Sequence, residues 1–270
     1  MSWSNSGANR QFRRSLLTAS AAVCLLPSLS LASTPNAQEL LAATDAMRNP
    51  GRPFAVKVSL TEFESGRQVD NNVLQSWSRP VEGAGGQYQT LLSFVEPARD
   101  AGKLLLRTGS DLWFYDPATK ASIRIAPQQR LLGQAANGDV VTVNLAREYE
   151  ATHKGEEEVV DGERKTRRAH KLGLVAKAPT ATYSTVEVWI DVETGRPIRS
   201  RFYAESGRLL KTVFYRRFQQ QLGRERPTEN VIIDGLNPQS VTLMRFTDFS
   251  TPNIPLTWFN RDNLSRFQPE

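Results

Sequence analysis

Between Asn36 and Arg48 the apolar residues Leu40, Leu41, Ala43 and Met47 recur at helical spacing, among the strong helix formers Ala37, Ala42 and Ala46. Asn36 suits an N-cap and Pro50-Gly51 a stop, so one amphipathic helix is predicted here. After it the period changes to two. Phe54, Val56, Val58 and Leu60 alternate with Ala55, Lys57, Ser59 and Thr61, the pattern of a half-buried strand. Further strand-like runs follow at 72–78, 88–95, 103–108, 112–115, 122–126, 148–153, 167–175, 184–192, 197–204, 209–217, 229–233 and 240–249. Turn signals such as Glu64-Ser65-Gly66-Arg67, Asp161-Gly162, Ser206-Gly207 and Asp234-Gly235 separate many of them. Short strands with hairpin turns predict a largely antiparallel sheet, and no strand alternates with a long helix as a doubly wound fold requires.

Several strands are apolar on both faces. Trp113 and Tyr115 share one face with Leu112 and Phe114 opposite, and Leu210, Phe214 and Phe218 share one with Leu209, Val213 and Tyr215 opposite. An antiparallel sheet wetted on one side is polar there, so two apolar faces call for two coverings. The 36–48 helix supplies one. The second is a bound apolar ligand or a partner, or else the aromatics are simply exposed. Between Gln128 and Asn144 the alternation fails, and Gly133 and Gly138 mark a short helix or a mobile loop.

Composition narrows the class. The chain has 270 residues, 39% of them hydrophobic and 23% charged, which fits a globular domain with a sizeable core. Residues 1–32 hold Arg10, Arg13 and Arg14 and no acid, then an apolar run broken by Pro27 and the small residues Ser30 and Ala32. This is the layout of a secretory signal peptide cut after Ala32, by the general or the twin-arginine route, with residues 33–270 as one mature domain. Without those arginines the balance is 31 Lys+Arg against 28 Asp+Glu, a charge of +3. The leader also carries Cys24, the single cysteine, so the mature domain needs no redox handling.

Reactive chemistry is scarce. The two histidines are His153, near an acidic turn at Glu156–Glu158, and His170, at the end of a basic run from Arg164. Both read as solvated surface features, and no metal site is expected. No Gly-x-Ser-x-Gly elbow, P-loop or Gly-x-Gly-x-x-Gly pattern occurs, so neither a hydrolase nor a cofactor enzyme is expected, and the small charge argues against nucleic acid.

Ordered segments carry a family likeness: Phe94-Val95-Glu96-Pro97, Gly102-Lys103-Leu104-Leu105, Leu112-Trp113-Phe114-Tyr115-Asp116-Pro117, Tyr149-Glu150-Ala151, Gly155–Val160, Val188-Trp189-Ile190-Asp191, Pro197-Ile198-Arg199 and Gly207-Arg208-Leu209-Leu210-Lys211-Thr212. Across 36–267 the chain resembles the LolA-like outer membrane lipoprotein-sorting group of the LolA/LolB carrier superfamily. The resemblance implies a mainly β (α+β) fold: a strongly curved antiparallel sheet forming a half-open barrel, with an N-terminal helix and a short helical lid. It also implies a periplasmic, non-enzymatic carrier of lipid or lipoprotein acyl chains. It would need no cofactor and would work as a monomer. Its partners would be an inner-membrane transporter, including exporters of the resistance-nodulation-division type, or an outer-membrane acceptor. A module that docks a transporter without carrying lipid is the alternative. The residues expected to line the apolar cleft are Phe94, Leu104, Leu106, Trp113, Phe202, Phe214 and Phe246. Trp77-Ser78-Arg79-Pro80 resembles the carriers' functional arginine site, with a Trp-to-Arg spacing one residue shorter, so Arg79 is the candidate gate or headgroup contact.

Overall fold

The computed structural model describes residues 35–269; the signal-peptide reading of residues 1–32 falls outside them. The predicted helix forms as α1, Ala37–Arg48, with the Asn36 side chain accepting from the backbone N–H of Gln38 and Glu39. The strand runs become the 13 strands of a single antiparallel sheet, in the order β6-β5-β4-β3-β2-β1-β15-β14-β13-β12-β11-β10-β9. In chain order these are β1 Phe54–Glu64, β2 Arg67–Pro80, β3 Tyr88–Glu96, β4 Leu104–Thr108, β5 Asp111–Asp116 and β6 Ala121–Arg124. The second half comprises β9 Tyr149–Val160, β10 Thr166–Ala176, β11 Thr185–Asp191, β12 Pro197–Tyr203, β13 Leu209–Gln221, β14 Arg224–Asp234 and β15 Ser240–Ser250. β6 and β9 are free edges, so the sheet does not close into a barrel.

Laid flat, such a sheet would be about 58 Å wide at ~4.8 Å per strand. Yet residues from β1 to β5 and from β9 to β15 share one hydrophobic core, with α1 inserted among them through Ala37 and Leu41. A helix of that length spans only about 18 Å, so the sheet has to wrap around it. Bulges help it bend. Asp248 sits at φ 54°, and the β1–β15 register shifts between Ala55–Ser250 and Lys57–Thr247.

The segment between β6 and β9 crosses the concave face as an insert. It contains the ladder of β7 Arg130–Leu132 with β8 Ala135–Ala136, and the short helices α2 Asn137–Val140 and α3 Leu145–Glu148. Two glycines let it lie close to the sheet and to the β10–β11 connection. A side chain at Gly138 would collide with Thr182, and one at Gly133, where φ is +52°, would collide with Thr242.

The convex face has its own cover, which answers the question of the second apolar face. Residues 251–269 return across β3, β4 and β5 as two 3-10 turns, Leu256–Phe259 and Arg261–Arg266. Ile254, Phe259 and Leu264 pack there on Ala55, Trp77, Leu91, Leu104, Leu106 and Tyr115. Trp77, Trp258 and Phe267 stack edge-on with ring centroids 4.9–5.6 Å apart. The covering of these strands is therefore the chain's own C-terminal segment. Elsewhere the convex face carries a small apolar cluster of Val159, Ala169, Trp189 and Ile198 on β9–β12 and a polar network on β13–β15, where fully buried Glu229 is held by Arg216, Arg217 and Arg245.

The acidic run Glu156–Glu158 is exposed as expected but lies inside β9 and not in a turn; it pairs with residues 168–170 of β10, and Arg168 of the exposed basic run stands 2.6 Å from Glu156. His170 is buried rather than solvated, 3.2 Å from His153 and 3.3 Å from Glu156.

Candidate functional site: a lidded apolar cavity

Between the concave face and its cover lies a cavity of about 170 Å³. Its wall is built by period-two alternation: Phe54, Val56 and Val58 from β1, Phe202 from β12, Val213 and Tyr215 from β13, Ile232 from β14, and Met244 and Phe246 from β15. The bulge at Asp248 turns Phe249 into the same space. The roof is Val140, Val141, Val143 and Leu145 of the insert with Tyr149 at the start of β9.

The roof is tied to α1 and to the sheet by specific polar contacts. Gln38 Nε2 donates to Ala146 O at 2.6 Å, and its Oε1 accepts from Ala151 N at 3.0 Å. Asp45 Oδ2 accepts from Ala146 N at 2.7 Å. Burial pushes the Asp45 carboxyl up to about 6, although Arg48 and the backbone N–H groups of Ala146 and Leu145 pull it down. On the sheet side, Thr142 meets Ser78 at 2.7 Å and takes Thr90 Oγ1 as the acceptor for its N–H at 3.2 Å.

A buried ion pair holds the middle of the insert. Lys211, 3% exposed on the inward face of β13, pairs with Asp139 of α2. Asp139 also accepts from Tyr183 Oη at 2.9 Å and from Ala136 N at 2.7 Å. The ammonium lies 4.8 Å from the Tyr183 ring and 5.3 Å from that of Phe202. Burial lowers Lys211 against the pull of Asp139, and burial beside that carboxylate raises Tyr183 well above its ordinary value.

The other end of the cavity is also polar. Arg226, 2% exposed, points inward from β14 and donates from Nε to Gln221 O at 2.9 Å and from Nη1 to Arg48 O at 3.0 Å. Arg48, Asn49 and Asn230 complete this end.

Of the residues expected to line the cleft, Phe202 and Phe246 do so. Phe94 is buried in the concave-side core, edge-on to Phe114 at 6.3 Å, away from the cavity. Leu104, Leu106 and Trp113 lie on the convex face under the C-terminal segment, because Leu105, Leu112 and Phe114 take the inward positions of β4 and β5. Phe214 also points outward, against Gly162, since its neighbours Val213 and Tyr215 face the cavity. A slip of one residue exchanges the faces, and strands apolar on both sides give no internal signal of which is which. Arg79 is on the convex face too, donating to Ile254 O at 3.1 Å, so it clasps the C-terminal segment and does not reach the cavity. Arg226, Lys211 and Asp139 were not singled out by the sequence; an isolated charge inside an alternating strand, as at Lys211 between Leu210 and Val213, is the signal they leave.

The architecture defines a class: a single curved sheet whose concave face, closed by a helix and an insert, holds an apolar cavity. The chain belongs to the LolA superfamily. It is 30% identical to a LolA superfamily protein from Nitrosomonas europaea, over 85% of this chain and 99% of that one, with a TM-score of 0.75. A family model whose description reads "Uncharacterized protein" matches residues 86–266. The same fold occurs in an outer membrane lipoprotein-sorting protein domain, so named provisionally, from Vibrio parahaemolyticus (20% identity, TM-score 0.71, 85% and 98% of the two chains). It occurs again in a DUF1329 family protein from Desulfovibrio piger (20% identity, TM-score 0.71, 84% and 97%). No curated protein sequence matches the chain.

Proposed function

We propose that this protein is an exported, periplasmic and non-enzymatic carrier that shelters the acyl chain of a lipid or lipoprotein in its concave-face cavity. The observation that carries the reading is the cavity itself, walled by aliphatic and aromatic side chains and roofed by an insert fastened through a few polar contacts. Each methylene moved into such a wall gains ~0.8 kcal/mol. Superfamily membership and the lipoprotein-sorting name of the Vibrio relative support the same reading. The arginine-led N-terminal segment supports export, and transfer to an inner-membrane transporter or an outer-membrane acceptor completes the proposal.

Size sets the working cycle. An engineered apolar cavity of ~150 Å³ holds one benzene. At about 170 Å³ the closed cavity takes little more, so a whole acyl chain requires the insert to move away from the sheet. The test is mass spectrometry of organic extracts of protein purified from its own periplasm, with displacement of a fluorescent fatty acid as the binding assay. The reading expects copurified lipid and saturable displacement. Protein free of lipid that also ignores the probe would refute it.

A further inference from the structure

We infer that the cargo of this cavity is an amphiphile with a single acidic headgroup, a carboxylate or a phosphate monoester, whose oxygens pair with Arg226 while its tail runs along β13 toward the Lys211–Asp139 end. The inference rests on the carrier reading and adds the class of headgroup.

The argument starts from an unbalanced charge. Arg226 is almost fully buried in the wall of a cavity whose two carboxylates, Asp139 and Glu148, are already paired with Lys211 and Arg107. Its Nη2 has no hydrogen-bond partner, and among the described residues no carboxylate forms an ion pair with it. Both of its hydrogen bonds go to backbone carbonyls, Gln221 O and Arg48 O. Burying a guanidinium without a counter-ion is among the most costly arrangements a fold carries, and a ligand anion removes that cost. Its neighbours supply no compensating charge: the Tyr88 phenol is kept neutral by burial, Arg224 and Arg52 act on it as like charges, and the nearby cation Arg48 is matched by Asp45 at 3.4 Å. The opposite end needs no counter-ion, because Lys211 already has Asp139.

Spacing suits a long tail. Arg226 stands opposite Gln219 in the β13–β14 register, and Lys211 lies on the same strand, eight residues from Gln219. At ~3.3 Å per residue the two ends are about 26 Å apart. Between them lie Val213, Tyr215 and Ile232. The guanidinium fork meets carboxylate and phosphate oxygens equally well, so the pocket chemistry names the shared anion and the assay separates its sources.

The experiment measures displacement of a fluorescent fatty acid by palmitate, hexadecyl phosphate and hexadecanol, which share one tail. The inference predicts that at least one of the acids outcompetes the alcohol by about tenfold or more, the range of a charge-assisted hydrogen bond. The stronger of the two identifies the headgroup. Arg226→Gln is expected to lose this preference while still binding hexadecanol, which reports that the variant is folded. Arg226→Lys keeps the charge without the fork and is expected to retain part of the preference; it also stands in if the glutamine variant does not fold. Equal binding of all three ligands by the wild type overturns the inference and leaves the carrier reading intact. So does a preference that survives Arg226→Gln. If no ligand binds, the carrier reading itself falls and the inference with it.

Discussion

Lys211 and Asp139 show how much one pair of side chains can decide. Each is withdrawn from water, and each is tolerated because the other is present. Removing one partner strands a buried charge, at a cost of about 3–5 kcal/mol. Lys211→Met is therefore expected to lose roughly 3 kcal/mol in urea unfolding, and Lys211→Met with Asp139→Leu to recover most of it. If the double variant is no more stable than the single one, the pair is not the fastening described. Asp45 adds a pH term at the other clasp. Its folded value of about 6 lies above the ordinary 3.8, so the folded state holds that proton more tightly. Across that window stability falls as pH rises, and above about 6 the penalty is complete. Asp45→Asn removes the titration. The difference in unfolding free energy between variant and wild type should grow in the variant's favour from pH 3.8 to about 6 and then stay level. A flat difference over that range would contradict the assignment.

Among the elements, the C-terminal segment does the work that the pattern of β2–β5 left open. Phe259 is 4% exposed on the convex face, and Phe259→Ala is expected to cost about 3–5 kcal/mol, visible as a lower urea midpoint. A change within 1 kcal/mol would mean that this face needs no cover. The strands themselves were legible because they alternate: Phe54–Leu60 and Val186–Ile190 could hardly be read otherwise. Their faces were not. Leu104-Leu105-Leu106 and Leu112-Trp113-Phe114-Tyr115 are apolar throughout, so the pattern does not separate their faces, and Leu104, Leu106 and Trp113 were expected on the wrong one. The hairpin ends were hidden for the opposite reason. Phe218–Thr228 is largely polar, and its buried inward residues Arg226 and Thr228 are polar too, so it carries no hydrophobic period. The 128–144 stretch resists reading because its order is tertiary, set by Thr142 on Ser78 and Asp139 on Lys211 across long separations.

Seen whole, the molecule is a hollow whose closed volume is too small for the cargo proposed for it, so release of the insert is the step on which the account turns. Ser78 Oγ and Thr142 Oγ1 are 2.7 Å apart across the seam between sheet and insert. Replacing both with cysteine, in a background where the sole native cysteine Cys24 is serine, places a disulfide there. The account predicts that the oxidised protein, with the cross-link verified by mass, binds a fluorescent fatty acid at least about tenfold more weakly than the wild type, and that reduction restores binding. Undiminished binding by the cross-linked form would show that the chain enters without lifting the insert, and would contradict the carrier cycle proposed from this cavity.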